Sequence, residues 1–173
     1  MRAIGAGILG LSIVVSGFTG FGRATVALSA QQAVATTPAF DLVTFGGAGY
    51  SNTSLKGKPA LLVFWAPWCN VCRRELPDIS RFYTHEKPAV LEMLSIGFAD
   101  TRTNVEAFVK ERAGSFAFPT AYDEDRWVSQ AFKVNATPTY VLLDEQGHIA
   151  LVHRGGGILQ NVQFREFLSM LNR

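Results

Sequence analysis

After an uncharged opening, the chain alternates short, continuously apolar blocks with segments whose apolar residues recur at helical spacing. Ala60-Leu61-Leu62-Val63-Phe64-Trp65 is apolar throughout, the pattern of a strand buried on both faces of a sheet. After Cys72 the period changes. Leu76, Ile79, Phe82 and Tyr83 recur at threes and fours, with Arg73, Arg74, Asp78 and Arg81 on other faces, which predicts a helix. Pro77 falls inside it and predicts a kink. Ala89 to Phe98 reads as a second strand, broken only by Glu92 and Ser95, and Thr103 to Arg112 as a second helix. Phe118 to Tyr122 reads as a short extended piece and Trp127 to Phe132 as helical. Thr139 to Leu143 is a strand, Glu145 to His148 a hairpin turn and Ile149 to His153 the returning strand. A last helix runs around Phe164, Phe167, Leu168 and Leu171. Upstream, Phe40 to Val43 suggests an edge strand and Gly46 to Gly49 a turn. Early alternation implies parallel crossovers, and the late hairpin adds antiparallel strands. The predicted fold is therefore α/β, a mixed central sheet with helices on both faces.

The first residues stand apart. Met1-Arg2 is a short positive start, and Ala3 to Gly22 carries no charge. Its length suits a bilayer anchor. Ala33-Val34-Ala35, a small-x-small sequence before Thr36, suits a cleaved signal peptide. Both readings deliver the rest of the chain outside the cytoplasm. Six glycines between Gly5 and Gly22 argue against a buried core helix. Residues 1–35 are thus expected to be signal peptide or anchor with linker, and residues 36–173 a single domain.

Composition adds mainly exclusions. The chain is 48% hydrophobic and 17% charged, as globular proteins are. Of its 16 basic residues, Arg2 and Arg23 lie in the first 35, which hold no acid; the 14 that remain balance the 14 acidic ones. A neutral domain with no basic patch makes nucleic acid a poor partner.

The candidate chemistry lies in Trp68-Cys69-Asn70-Val71-Cys72, which contains both cysteines of the chain, between a buried strand and a helix. A cysteine at a helix N-terminus faces unsatisfied N–H groups whose partial positive charge favours thiolate. Cys69 is therefore assigned as nucleophile. Cys72, one turn in, is placed to resolve a mixed disulfide. A zinc site would need further ligands, and His85, His148 and His153 show no ligand spacing toward the pair. A purely structural bridge over so small a ring constrains little. A copper-delivery module usually separates its cysteines by three residues, not two. A thiol peroxidase would need a threonine three residues before its cysteine, where this chain has Ala66.

The segment from Phe64 through Trp65-Ala66-Pro67-Trp68-Cys69-Asn70-Val71-Cys72-Arg73-Arg74-Glu75-Leu76 to Pro77 resembles the active-site segment of the TlpA/ResA-like thioredoxins of the bacterial envelope. The resemblance continues at Phe118 to Asp123 and at Ala131 to Asp144, and spans roughly residues 38–173. It implies a thioredoxin-like fold in which Phe98 to Trp127 holds an extra strand–helix insert and Pro77 is the kink proline of the active helix. It implies that Pro138 is a cis-proline beside the cysteines, turning the backbone of Thr137 toward a substrate strand. It also implies that Trp68 is a contact surface for partners; Trp65 could serve either as contact or as core.

Two departures stand out. Cytoplasmic thioredoxins carry a buried Asp six residues before the first cysteine, where this chain has Val63. Glu75 instead matches a glutamate proposed as proton acceptor in ResA-like members, and three residues of helix put it on the face of Cys72. The bland alternative is a solvated acid in the first turn. Asn70-Val71 also differs from many relatives, which carry proline at the second of these positions, so their reduction potentials do not transfer. The implied function is a protein thiol–disulfide oxidoreductase that needs no cofactor and works as a monomer, with protein thiols or disulfides as substrates. Resemblance favours the reducing direction, in cytochrome c maturation or envelope thiol repair, with a membrane electron donor. A disulfide donor or isomerase and a copper-handling module are the alternatives.

Overall fold

A computed structural model describes residues 36–172. The signal or anchor expected within residues 1–35 lies outside the described residues. Among those described, no helix is long and apolar enough to cross a membrane.

The apolar block at residues 60–65 forms the central strand of a five-stranded sheet. Strands β1 (Asp41–Val43), β2 (Gly49–Ser51), β3 (Ala60–Trp65), β4 (Glu92–Gly97), β5 (Thr120–Tyr122), β6 (Thr139–Leu143) and β7 (Ile149–Arg154) alternate with helices α1 (Asn70–His85), α2 (Arg102–Glu111), α3 (Trp127–Ala131) and α4 (Val162–Leu171). The main sheet runs β5-β4-β3-β6-β7. β3 lies parallel to β4 and antiparallel to β6, β4 is parallel to β5, and β6 antiparallel to β7. This is the mixed sheet that alternation followed by a hairpin predicts.

Every residue of β3 is buried, and successive side chains feed opposite cores. Leu61, Val63 and Trp65 meet Leu76, Ile79 and Phe82 of α1, Val105 and Phe108 of α2 and Phe164 of α4. Ala60, Leu62 and Phe64 meet Phe40 and Leu42 of the first hairpin region and Val128 and Phe132 around α3. Each large side chain so buried contributes about 1.5–3 kcal/mol, which fixes the strand ends and with them the cysteine turn.

Several boundaries differ from the sequence reading. β1 is not an edge of the main sheet; it pairs antiparallel with β2 as a separate two-stranded sheet. β2 begins at Gly49, at the end of the glycine-rich turn, and carries no apolar run that would reveal it. β4 starts at Glu92 because Ala89 and Val90 are spent in a turn closed by Leu91 N–H donating to Pro88 O. The insert between residues 98 and 127 contains α2 first and then β5, which extends the sheet edge. Pro77 cannot donate a helical hydrogen bond, yet α1 continues past it to His85.

Gly97 ends β4 where α2 crosses it. A Cβ there would collide with Val105 and press on the Trp65 ring. Gly97→Ala is therefore expected to destabilise the domain by about 1–3 kcal/mol through overpacking, read as a lower urea midpoint at unchanged slope.

Candidate active site

The turn after β3 places Cys69 at the N-cap of α1, with φ −75° and ψ 109°. Its Sγ accepts the Cys72 N–H at 3.0 Å, so one of the donors left free by the first helical turn points at sulfur. A disulfide joins Cys69 and Cys72, whose Cα atoms lie 5.2 Å apart. Cys69 is 5% exposed and Cys72 1%, so both are buried and Cys69 is the less deeply covered residue.

The turn is braced on several sides. Cys69 N–H donates to Ala66 O, and Arg73 Nε–H donates to Pro67 O at 2.8 Å while its guanidinium lies 5.6 Å from the centre of the Phe108 ring. Trp68 is 56% exposed but held, because its Nε1–H donates to Ala99 O at 3.0 Å. Trp65 is core. It is fully buried, donates to Ser95 Oγ at 2.6 Å, and packs against the rings of Phe108 and Phe116.

The Thr137–Pro138 bond is cis. Pro138 is buried, and its carbonyl accepts Gly155 N–H at 2.9 Å. Thr137 is half-buried, and neither its N–H nor its C=O finds a hydrogen-bond partner among the described residues. Trp68 and Thr137 line one groove of about 210 Å³, together with Phe98, Ala99, Arg126 and Asn135.

Glu75 is half-buried, and its carboxylate is engaged. Oε2 accepts from Tyr140 Oη at 2.7 Å, and Oε1 accepts the Gly157 N–H. Because both carboxylate oxygens accept from protein groups, the solvated-acid alternative does not describe it; no hydrogen bond to Cys72, whose sulfur is in the disulfide, is made. Tyr140 stands opposite Val63 in the β3–β6 ladder, on the same face of the sheet. Burial, then the hydrogen bond and the charge of Glu75, push its phenol well above the ordinary value, so the hydroxyl stays protonated and donates.

Tyr140, Gly156 and Gly157 have no role in the sequence reading, and His153 enters it only as a rejected metal ligand. A Cβ on Gly156 would collide with the Glu75 carboxylate and sit against Val71, so the loop from Gly155 to Gly157 closes on both α1 and the dipeptide between the cysteines. His153 holds that loop through Nε2 to Gly156 O at 2.8 Å, with Nδ1 facing Asn161 Nδ2 at 3.3 Å. Both contacts are satisfied by the neutral tautomer with its proton on Nε2. The run of three glycines between a strand and a helix was the available signal. Among the described residues, no three His, Cys, Asp or Glu side chains gather in a metal-binding arrangement.

Residues 34–152 match the AhpC/TSA family. The chain belongs to that family. It is 29% identical over 152 residues to the thiol-disulfide oxidoreductase ResA of Bacillus subtilis (strain 168), covering 88% of this chain and 84% of that protein. With ResA of Geobacillus thermodenitrificans (strain NG80-2) the identity is 30% over 148 residues, 86% of this chain and 84% of the relative. Among solved structures, StoA from Bacillus subtilis matches with a TM-score of 0.64 and 25% identity, over 80% of this chain and 99% of StoA. A putative thioredoxin from Neisseria meningitidis matches at 0.67 and 29%, over 80% and 91%. This family member is accordingly a thiol–disulfide oxidoreductase with a thioredoxin-like fold, acting on protein thiols, and it carries a Cys69–Cys72 pair at disulfide distance.

Proposed function

We propose that the protein reduces disulfides of partner proteins outside the cytoplasm, with Cys69 as nucleophile, Cys72 as resolving residue and Glu75 as proton acceptor. The observation that carries this reading is the N-cap position of Cys69, where the Cys72 N–H already points at its sulfur, next in sequence to Trp68 of the groove. In the reduced protein the same donor stabilises a Cys69 thiolate. That thiolate attacks one sulfur of the partner disulfide, forming a mixed disulfide and releasing the other sulfur as a thiolate that takes a proton. Cys72 then gives its proton toward Glu75 and attacks Cys69 Sγ. The second partner sulfur leaves, and two electrons have passed to the partner. Thr137, with its free N–H and C=O, pairs with the extended chain of the substrate, and exposed Trp68 covers it. Pro138 keeps Thr137 at the edge of this groove.

The uncharged run from Ala3 to Gly22 behind Arg2 supports delivery across the membrane. In an oxidising compartment a reductant must be re-reduced, so a membrane electron donor completes the cycle. The proposed duties are cytochrome c maturation or repair of other envelope thiols, performed by a monomer.

The deciding measurement is the reduction potential of the Cys69–Cys72 pair, taken by equilibration with glutathione or dithiothreitol. A value below about −220 mV is expected of a reductant. A value near about −120 mV, that of a strong oxidant, overturns the direction in favour of a disulfide donor.

A further inference from the structure

The groove lined by Trp68 and Thr137 carries a charge that the reaction itself does not need. Arg126 lines it together with Trp68 and Thr137, and is the charged side chain in the groove wall. Its guanidinium lies 5.7 Å from the centre of the buried Phe98 ring, and it makes no hydrogen bond or ion pair among the described residues. The neighbouring acids do not engage it. Asp123 is fully buried, with its two carboxylate oxygens accepting from Val128 N and Ser129 N at 2.9 and 2.7 Å. Glu124 faces Arg102 at 3.7 Å. Asp100 accepts from Thr101 N and Asn104 Nδ2. Asp125 is exposed and lies outside the groove wall.

The backbone around it is unusual as well. Asp125 and Arg126 both have positive φ, 50° and 61°, and so does Ala99, at 57°, another lining residue. Non-glycine residues adopt this region at a cost, and such outliers concentrate where a side chain is set for a function. A planar guanidinium resting on an aromatic ring keeps its outward N–H donors in a fixed fork, the geometry that matches a carboxylate.

We propose that Arg126 makes this groove selective for partner disulfides with an acidic residue close to the reactive cysteine. The inference rests on the proposed seating of the substrate between Trp68 and Thr137. An extended chain paired with Thr137 presents alternate side chains to the same side. A Glu or Asp two residues from the attacked cysteine then reaches the guanidinium while the sulfur meets Cys69. Charges at such a rim act on partner choice and encounter rate more than on overall affinity.

The test uses the reduced protein and three symmetrical peptide disulfides identical except for Glu, Gln or Lys at the positions two residues on either side of cysteine. Wild-type protein is expected to reduce the Glu peptide about fivefold faster than the Gln peptide at low salt, with the Lys peptide slower still. The difference resides in kcat/KM and fades at high ionic strength. Arg126→Gln is expected to erase the preference, Arg126→Glu to reverse it and Arg126→Lys to retain part of it. Equal rates for the three peptides in wild type, a preference for the Lys peptide, or a Glu preference that survives in Arg126→Glu overturns the proposal. If wild type in those cases still reduces the small neutral bis(2-hydroxyethyl) disulfide, the proposed function stands without it. A wild-type protein that reduces neither peptides nor this small disulfide overturns both.

Discussion

Cys69→Ser is expected to abolish disulfide reduction, by a factor on the order of 10³ or more, while leaving the fold intact. The two sulfurs are not equivalent in this structure. Cys69 sits at the helix N-cap with a backbone N–H directed at it, whereas Cys72 lies one turn inside and is almost wholly covered. A serine hydroxyl at position 69 would receive the same N–H but would not ionise near neutral pH, so the helix terminus could no longer supply a nucleophile. Cys72→Ser should behave differently. The first attack proceeds, the mixed disulfide has no resolving thiol, and the adduct accumulates on Cys69. Non-reducing electrophoresis and peptide mapping of the trapped adduct read this directly. Adduct formed on Cys72 in the Cys69→Ser protein, with none on Cys69 in Cys72→Ser, would reverse the assignment.

The parts of this site legible in the sequence are those built from neighbouring residues or from doubly buried strands. β6 occupies Thr139–Leu143, as its apolar run predicts, and every one of its residues is buried. The apolar run of β3 likewise matches its bounds, because two cores compete for its side chains and leave no polar position to blur the ends. The cysteine turn follows from adjacency. β2 escaped notice because Gly49-Tyr50-Ser51 is half-exposed and held by pairing with β1 rather than by its own burial. The partners of Glu75 escaped for another reason: Tyr140 and Gly157 lie 65 and 82 residues away, and no local pattern ties them to α1. The same holds for Arg126. In the sequence it is one of several charges between Asp123 and Trp127, and only the positive φ at 125 and 126 and the wall of Phe98 give it a place in the groove.

Glu75→Gln is expected to slow resolution of the mixed disulfide on the order of 10²-fold, with little change in melting temperature. The substitution is nearly silent for the fold because glutamine can keep both contacts. Its carbonyl oxygen can accept the Gly157 N–H, and its NH₂ can donate to Tyr140 Oη, since a phenol both donates and accepts. What is lost is the capacity to take a proton. Val63, buried against Tyr140's strand, offers no substitute, and among the described residues no other carboxylate hydrogen-bonds Tyr140 Oη or the Gly157 N–H. Glu75 lies one helical turn from Cys72, and each carboxylate oxygen, having accepted one hydrogen bond, retains a lone pair for the thiol proton. Tyr140→Phe supplies the contrast. It removes the hydroxyl donor but leaves the carboxylate, so it should weaken positioning without removing proton acceptance, and cost less than Glu75→Gln. The readouts are the pH dependence of Cys72 alkylation in a Cys69→Ser background and the single-turnover rate of mixed-disulfide resolution. If Glu75→Gln shifts neither, Glu75 only ties α1 to β6 and to the glycine loop, and the proton of Cys72 goes to solvent.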